Sequence, residues 1–267
     1  MSEREKYIHN PTLQLQEKIL TSIISKDESI CIFDIGACEG ENSIRYARLF
    51  PKATIYTFEP LPSNFDLVIQ NKEKYRVENM HPISSCLSNT IGETTFHLSS
   101  GNPDDKEMKD WNFGNKSSSI LPPEKTLEVH PWLKFEKTIK VPTTTLIDFC
   151  KQHAISTVDY IHMDVQGAEL MVLQGAGDFI NQIKMIWLEV EAEELYKGQP
   201  LEKDIANFML QHHFVKIEDT VYTTAGDQFW VQRDFIINKK SKWYLAKQQA
   251  FISFKKSYKK FRRTILK

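Results

Sequence analysis

The chain has no run of 18 consecutive apolar residues, so no segment is predicted to span a bilayer as a helix. Its first residues, MSEREKYIHN, are polar and of mixed charge, without the apolar stretch that a secretory signal needs. Cysteine is scarce. Cys31, Cys38, Cys86 and Cys150 form no CxxC pair and match no zinc-binding spacing. Cys31 and Cys150 lie in apolar runs, as small buried hydrophobes do, and a reducing, cytoplasmic setting is expected. There is no GxxxxGK[ST] phosphate loop, no GxGxxG dinucleotide loop and no internal repeat of 20–50 residues.

What is present is one core's worth of apolar sequence: 267 residues, 41% hydrophobic. The net charge of −1 conceals an asymmetry. Residues 239–267 hold eleven Lys and Arg and no acid, leaving 23 basic and 35 acidic side chains elsewhere. The organisation predicted is an N-terminal helical segment (1–28), an α/β domain (29–238) and a basic amphipathic helix (239–267).

Strand and helix patterns alternate through the middle region. Residues 11–25 read as a helix, with Asn10 as cap and Pro11 in the first turn. Strands are expected at 29–36, 53–60, 80–88, 94–99, 157–165 and 184–191. Helices are expected at 41–50, 63–74 (Ser63 and Asp66 as capping box), 145–153 (Thr145 and Asp148), 167–175 and 201–213. Residues 214–222 and 228–235 close the domain as an antiparallel pair. Residues 101–135 show no period and are rich in Gly, Pro, Ser, Asn and charge. The alternation predicts a doubly wound, mostly parallel sheet.

In such sheets ligands bind beyond the carboxyl ends of the strands. The first strand runs into Asp34-Ile35-Gly36-Ala37-Cys38-Glu39-Gly40, where small residues permit close backbone approach and a sharp turn. Glu59 ends the second strand 19 residues after Gly40, the place for a carboxylate that accepts both ribose hydroxyls. That pairing describes a nucleoside site. The wide GxxxG spacing and Asp34 disfavour a pyrophosphate, while an acid there could hold the cationic amino end of a methionine.

FDIGACEG, YTFEPLPSNF, TTLIDF, IHMDVQGAELMVLQGA and WLEVE follow one another over residues 31–191, and GDQFWVQ occupies 226–232. In this order the chain resembles the FkbM family of methyltransferases. The resemblance implies the class I methyltransferase (Rossmann-like) fold, S-adenosylmethionine as cofactor, and O-methylation of a sugar or glycosylated acceptor. It places Asp34, Gly36 and Gly40, with Ala37 and Cys38, in the first cofactor loop. Glu59 becomes the ribose acid, and Ser85 and Cys86 fall near the adenine. Asp164 matches the acid of the fourth-strand motif and Glu169 its second acid. Three positions depart from the family pattern: Cys38 for Asn, His162 for Lys and Gln166 for Glu.

Methyl transfer to oxygen requires alignment and removal of one proton. Asp164, at a strand end beside the cleft, is the first candidate base or acceptor anchor. His162 alternates with it along the strand, and Glu189 ends the next strand as an acceptor contact; an N-cap, a core histidine and a strand-end carboxylate are the respective structural alternatives. Some sugar methyltransferases of related folds use Mg²⁺, and Asp164 with Glu189 could supply oxygen ligands; a metal is allowed by these residues but not predicted. Residues 115–121 are candidates for an acceptor lid, and His130-Pro131-Trp132 for a loop anchor or a sugar-stacking surface.

In the tail, Tyr244, Phe251, Phe254, Tyr258, Phe261 and Ile265 alternate with basic residues at helical spacing. A peripheral contact with the anionic inner face of a membrane is one reading and packing on protein the other. The acidic body argues against nucleic acid as main substrate. Two other functions stay open. An NAD-dependent oxidoreductase is disfavoured by the loop and by a missing Tyr-x-x-x-Lys pair (Tyr244 is followed four residues on by Gln248). A degenerate methyltransferase fold acting as a binding module is the third reading.

Overall fold

The computed structural model describes residues 3–103 and 113–238. The basic tail, and the membrane contact expected of it, lie outside the described residues. In chain order the elements are α1 (Glu3–His9), α2 (Leu15–Ile23), β1 (Cys31–Ile35), α3 (Glu41–Leu49), β2 (Thr54–Phe58) and α4 (Pro62–Tyr75). Then come β3 (Met80–Ile83), β4 (Cys86–Leu87), β5 (Gly92–Ser100), a 3-10 turn at Gly114–Ser117, α5 (Thr126–Val129), β6 (Lys134–Thr144) and α6 (Leu146–Gln152). The chain continues through β7 (Val158–Met163), α7 (Glu169–Gln174), a 3-10 helix at Gly177–Gln182, β8 (Ile183–Glu191), α8 (Glu202–Gln211), β9 (Phe214–Asp219), β10 (Ala225–Gln232) and α9 (Arg233–Asn238).

Seven strands form the main sheet in the order β3-β2-β1-β7-β8-β10-β9. Pairings from β3 to β8 are parallel, and β10 runs antiparallel to both β8 and β9. The predicted doubly wound, mostly parallel sheet with an antiparallel closing pair is therefore the one the chain builds. Side chains alternate across it. Ile32, Tyr160 and Phe229 pack under α1, α2 and α3, while Phe33, Ile161 and Trp230 pack under α6, α7 and α8. Strand order reverses between β1 and β7, which opens a crevice at their carboxyl ends.

Four local expectations are corrected. The strand expected at 80–88 is two strands in different sheets. β3, with Pro82, is the edge of the main sheet, where a missing N–H is tolerated. Ser84 and Ser85 then carry the chain into a second sheet, β4-β6-β5. The strand β6 was not foreseen, because KFEKTIKVPTT is largely exposed and charged; its long antiparallel register with β5 creates it. Helix α4 starts at Pro62 after Leu61, not at a Ser63 box, since proline suits the first helical turn. Helix α2 starts at Leu15 rather than after Asn10. Arg45 on α3 donates to the carbonyls of Tyr7, Asn10 and Thr12, which fixes 10–14 as non-helical chain. Its Nε and Nη2 also hold both oxygens of buried Glu17, at 2.7 and 2.6 Å, so the N-terminal helices share the core of α3. The cap at Thr145 is as expected: its Oγ1 accepts from Asp148 N at 3.2 Å.

No helix among the described residues is long and apolar enough to cross a membrane.

Candidate active site

A cleft of about 540 Å³, open solvent included, occupies the crevice at the ends of β1, β2 and β7. One wall is the loop after β1. Gly36 there has φ +82, and an added Cβ would sit 1.9 Å from the main-chain oxygen of Asp164. Only glycine lets the ends of β1 and β7 approach this closely. Gly40, at φ +79, turns the loop into α3. A second wall is Phe58, Glu59 and Pro60, a third is Ser85, Cys86 and Leu87, and Asp164, Val165, Gln166 and Ala168 form the floor. Asn115, Lys116, Ser118 and Ile120, from the insertion between β5 and β6, close over it.

Glu59 is buried, and both its oxygens accept from the main chain: Oε2 from Cys38 N at 2.8 Å and Oε1 from Leu61 N at 2.9 Å. Burial outweighs these donors and pushes its carboxyl up to about 8. Each oxygen retains a second lone pair for a ligand donor.

Of the residues singled out in the sequence, Gly36, Cys38, Glu59, Ser85, Cys86 and Asp164 line the cleft. Ala37 and Gly40 belong to the loop but do not line the cleft; an added Cβ on Gly40 would strike Met80. Asp34 does not line the cleft. It alternates with Phe33 and Ile35 and so turns beneath α3, where Ser43 Oγ donates to its Oδ2 at 2.5 Å and lies 2.8 Å from Thr57 Oγ1. Burial pushes Asp34 up to about 7.

His162 is also displaced from the expected arrangement. Strand β7 ends at Met163, so period-two alternation does not carry through to Asp164. The His162 ring packs against Tyr46, with Nδ1 2.9 Å from its hydroxyl and 3.8 Å from Asp34. Burial lowers His162 to about 4, so the ring is neutral near pH 7 and carries no replacement for a fixed cation. Glu169 is buried and accepts from Val165 N at 2.9 Å, which holds the turn entering α7.

Asp164 is exposed to the cleft. Gln166 Nε2 donates to its Oδ1 at 2.7 Å and to Glu189 Oε2 at 3.0 Å, joining two carboxylates through one amide. Enclosure by protein raises both acids, and for Glu189 the nearby Asp164 raises it further. Behind them burial raises Glu191 to about 7 and Asp227 to about 6. Among the described residues no group of three or more His, Cys, Asp or Glu side chains is arranged to hold a metal ion.

Residues 113–120 form a strap across the crevice. On one side Lys116 Nζ pairs with Glu41 at 2.7 Å and Asn115 Nδ2 donates to Asn64 Oδ1 at 2.6 Å. On the other, Ser119 Oγ donates to the Gln166 carbonyl at 2.8 Å, and the Tyr196 hydroxyl lies 2.7 Å from the Ser117 carbonyl. Burial opposes the charge on Lys116, but Glu41 and its neighbours prevail and raise it. The sequence marked 115–121 as a lid but gave no role to Asn64 or Tyr196. Asn64 sits within the quoted YTFEPLPSNF motif, whereas Tyr196 follows β8 in a loop with no pattern of its own. His130 and Trp132 stand with ring centroids 5.9 Å apart and do not line the cleft.

A model of the methyltransferase FkbM domain matches residues 34–216. The 2-O-methyltransferase NoeI of Sinorhizobium fredii (strain NBRC 101917 / NGR234) is 33% identical over 193 residues, covering 72% of this chain and 76% of that protein. Among solved structures, M. capricolum TrmK in complex with S-adenosyl-homocysteine aligns at 11% identity with a TM-score of 0.47, covering 83% of this chain and 69% of that one. Aeropyrum pernix fibrillarin with natively bound S-adenosyl-L-methionine aligns at 13% identity and 0.43, covering 80% and 72%.

Proposed function

Because the chain belongs to the FkbM methyltransferase family, we propose that it transfers the methyl group of S-adenosylmethionine to a hydroxyl oxygen of a sugar or glycosylated acceptor. The observation that carries this reading is that Glu59 and Asp164, from the ends of different strands, line one cleft. The donor set fits the cofactor. Glu59 keeps a free lone pair on each oxygen for the two ribose hydroxyls, and Ser85, Cys86 and Leu87 offer a narrow, mostly apolar wall for a flat base. The acidic floor suits a cation. Support for oxygen as acceptor comes from the relative named as a 2-O-methyltransferase.

Bound against Glu59 and the Ser85–Leu87 wall, the cofactor would supply a methyl group already activated on sulfur, with sulfur as the leaving group that keeps the electron pair. Asp164, exposed at the floor, takes the hydroxyl proton. Glu189 is linked to it through the Gln166 amide, and the repulsion between the two acids favours proton uptake by Asp164. The strap at 113–120 excludes water from above and orients the acceptor. Asp34, His162 and Ser43 act below the loop and hold its shape.

Calorimetric titration of the full chain with S-adenosylmethionine and with NAD tests the cofactor. Binding of the first alone is expected, weakened at least tenfold by Glu59→Ala. Heat from NAD alone, or unchanged affinity in that variant, refutes the assignment. Mass spectrometry of glycan extracts incubated with methyl-labelled cofactor identifies the acceptor; label appearing on nitrogen refutes O-transfer.

A further inference from the structure

Gln166 is the residue of the cleft floor whose side chain is most fully engaged and whose role the reaction above does not define. It stands at φ +54, in the left-handed region that non-glycine residues seldom adopt. A primary amide has two N–H protons, and here each has its own carboxylate, Asp164 Oδ1 at 2.7 Å and Glu189 Oε2 at 3.0 Å. Two carboxyl oxygens as acceptors fix which end of the amide is nitrogen. Its Oε1 then faces the Tyr196 hydroxyl at 3.1 Å. That hydroxyl is buried and lies 2.7 Å from the Ser117 carbonyl as well. From above, Ser119 Oγ holds the Gln166 carbonyl.

We propose that Gln166 is the positioning residue of the transfer: its amide couples Asp164, which lines the cleft, to Glu189, which stands outside the cleft lining, as one proton-accepting pair, with Tyr196 against the amide oxygen. The inference rests on the reading that Asp164 receives the acceptor's proton.

The surroundings explain why an amide stands where the family pattern has a glutamate. The charged groups facing the pair come from every neighbouring element: Lys116 of the strap, Glu41 of α3, Glu169 of α7, Glu191 of β8 and Asp227 of β10. All but one are acids. A glutamate at 166 would add a like charge within hydrogen-bond reach of two carboxylates, and some of them would have to stay protonated. A neutral double donor favours the charged form of both and leaves an acceptor for the incoming proton. Such a pair titrates as a unit.

The test uses the full chain with Asp and Glu carboxyl carbons labelled, titrated by carbon NMR without ligand. Asp164→Asn and Glu189→Gln assign the two signals. Gln166→Met keeps length and removes both donors; Gln166→Glu keeps shape and adds charge. The expected result is that both midpoints rise together, by about half a unit or more in the methionine variant and by more than one unit in the glutamate variant. With methyl-labelled S-adenosylmethionine and a panel of free monosaccharides and glycan extracts, the kcat–pH profile should move by the same amount. At pH 7, kcat should fall about tenfold in Gln166→Glu, with cofactor KM changed far less.

Unmoved midpoints in Gln166→Met refute the proposal, as does a kcat–pH profile that stays in place while the midpoints move. If Gln166→Glu does not fold, the methionine variant decides alone. A wild-type chain that binds no cofactor refutes the functional reading and the positioning role with it. That failure is distinct from unmoved midpoints in a chain that transfers methyl normally.

Discussion

Replacing Gly36 by alanine isolates the contact on which the cleft depends, and Gly198 provides the matched control. Both glycines have positive φ, +82 and +74. Forcing a residue with a Cβ into that region costs about 1–2 kcal/mol. At Gly198 nothing lies within 4 Å of an added Cβ, so Gly198→Ala should cost that amount and no more. At Gly36 the added carbon meets the Asp164 carbonyl oxygen at 1.9 Å and its carbon at 2.9 Å. Both are main-chain atoms, so relief requires the ends of β1 and β7 to separate by more than about 1 Å. That movement strains the Asp164 N to Ile35 O bond at 3.0 Å and the Gly36 N to Phe58 O bond at 3.1 Å. Each is worth about 1 kcal/mol. The sum for Gly36→Ala is about 3–4 kcal/mol, roughly 2 more than the control. Urea unfolding of the two variants at equal m-value measures the difference. Equal destabilisation would refute the claim that a steric contact between two strand ends, rather than backbone strain, makes glycine necessary here. Gly36→Ala should also lose cofactor binding, which Gly198→Ala should keep.

Arg45→Met should cost about 3–5 kcal/mol, because it leaves Glu17 buried without its partner and deprives three carbonyls of a donor; limited proteolysis should then cut within residues 10–14. Stability should fall as pH rises from about 6.5 to 8. Glu59, near 8, and Asp34 and Glu191, near 7, are held above their ordinary values of 4.5, 3.8 and 4.5 by burial, so across that window the folded chain binds more protons than the unfolded one. His162, lowered from 6.5 to about 4, acts in the opposite sense from about pH 4 to about 7, so it offsets part of the fall at the lower edge of that window. Glu59→Gln should flatten the upper part of the slope in unfolding curves taken at pH 6.5, 7.2 and 8; an unchanged slope would refute the assignment.

The parts of the fold legible in the sequence are those where a local pattern and a tertiary role coincide. Buried parallel strands such as CIFDI and the Thr145 cap announce themselves, since the residues that make them also make their contacts. Helix α2 was misread because the decisive partner, Arg45, lies 33 residues or more from the carbonyls it holds. Strand β6 was missed because it becomes a strand only by pairing with β5, and its exposed, charged face hides the period. In the site, loop glycines and strand-end acids were visible as types and positions. Direction was not visible: Asp34 and His162 turn under α3, where Ser43 and Tyr46 take them, and alternation along a strand separates two faces without saying which one borders the cleft. Gln166 stood out only as a departure; of the two carboxylates that give it meaning, one follows the end of β7 and the other lies on β8.

Among the described residues the second sheet is held by a separate apolar cluster with four buried members, Leu61, Cys86, Phe96 and Val141, while the seven-stranded sheet has a broad core on each face. A small cluster opens at lower free energy than a large one. The crevice therefore has one slow side and one fast side. Amides of β5 and β6 should exchange with solvent well before those of β1 and β7, and the fast side is the one that carries the strap. Loosening of the small sheet should therefore leave the β1 and β7 ends, which carry the loop and Asp164, in place.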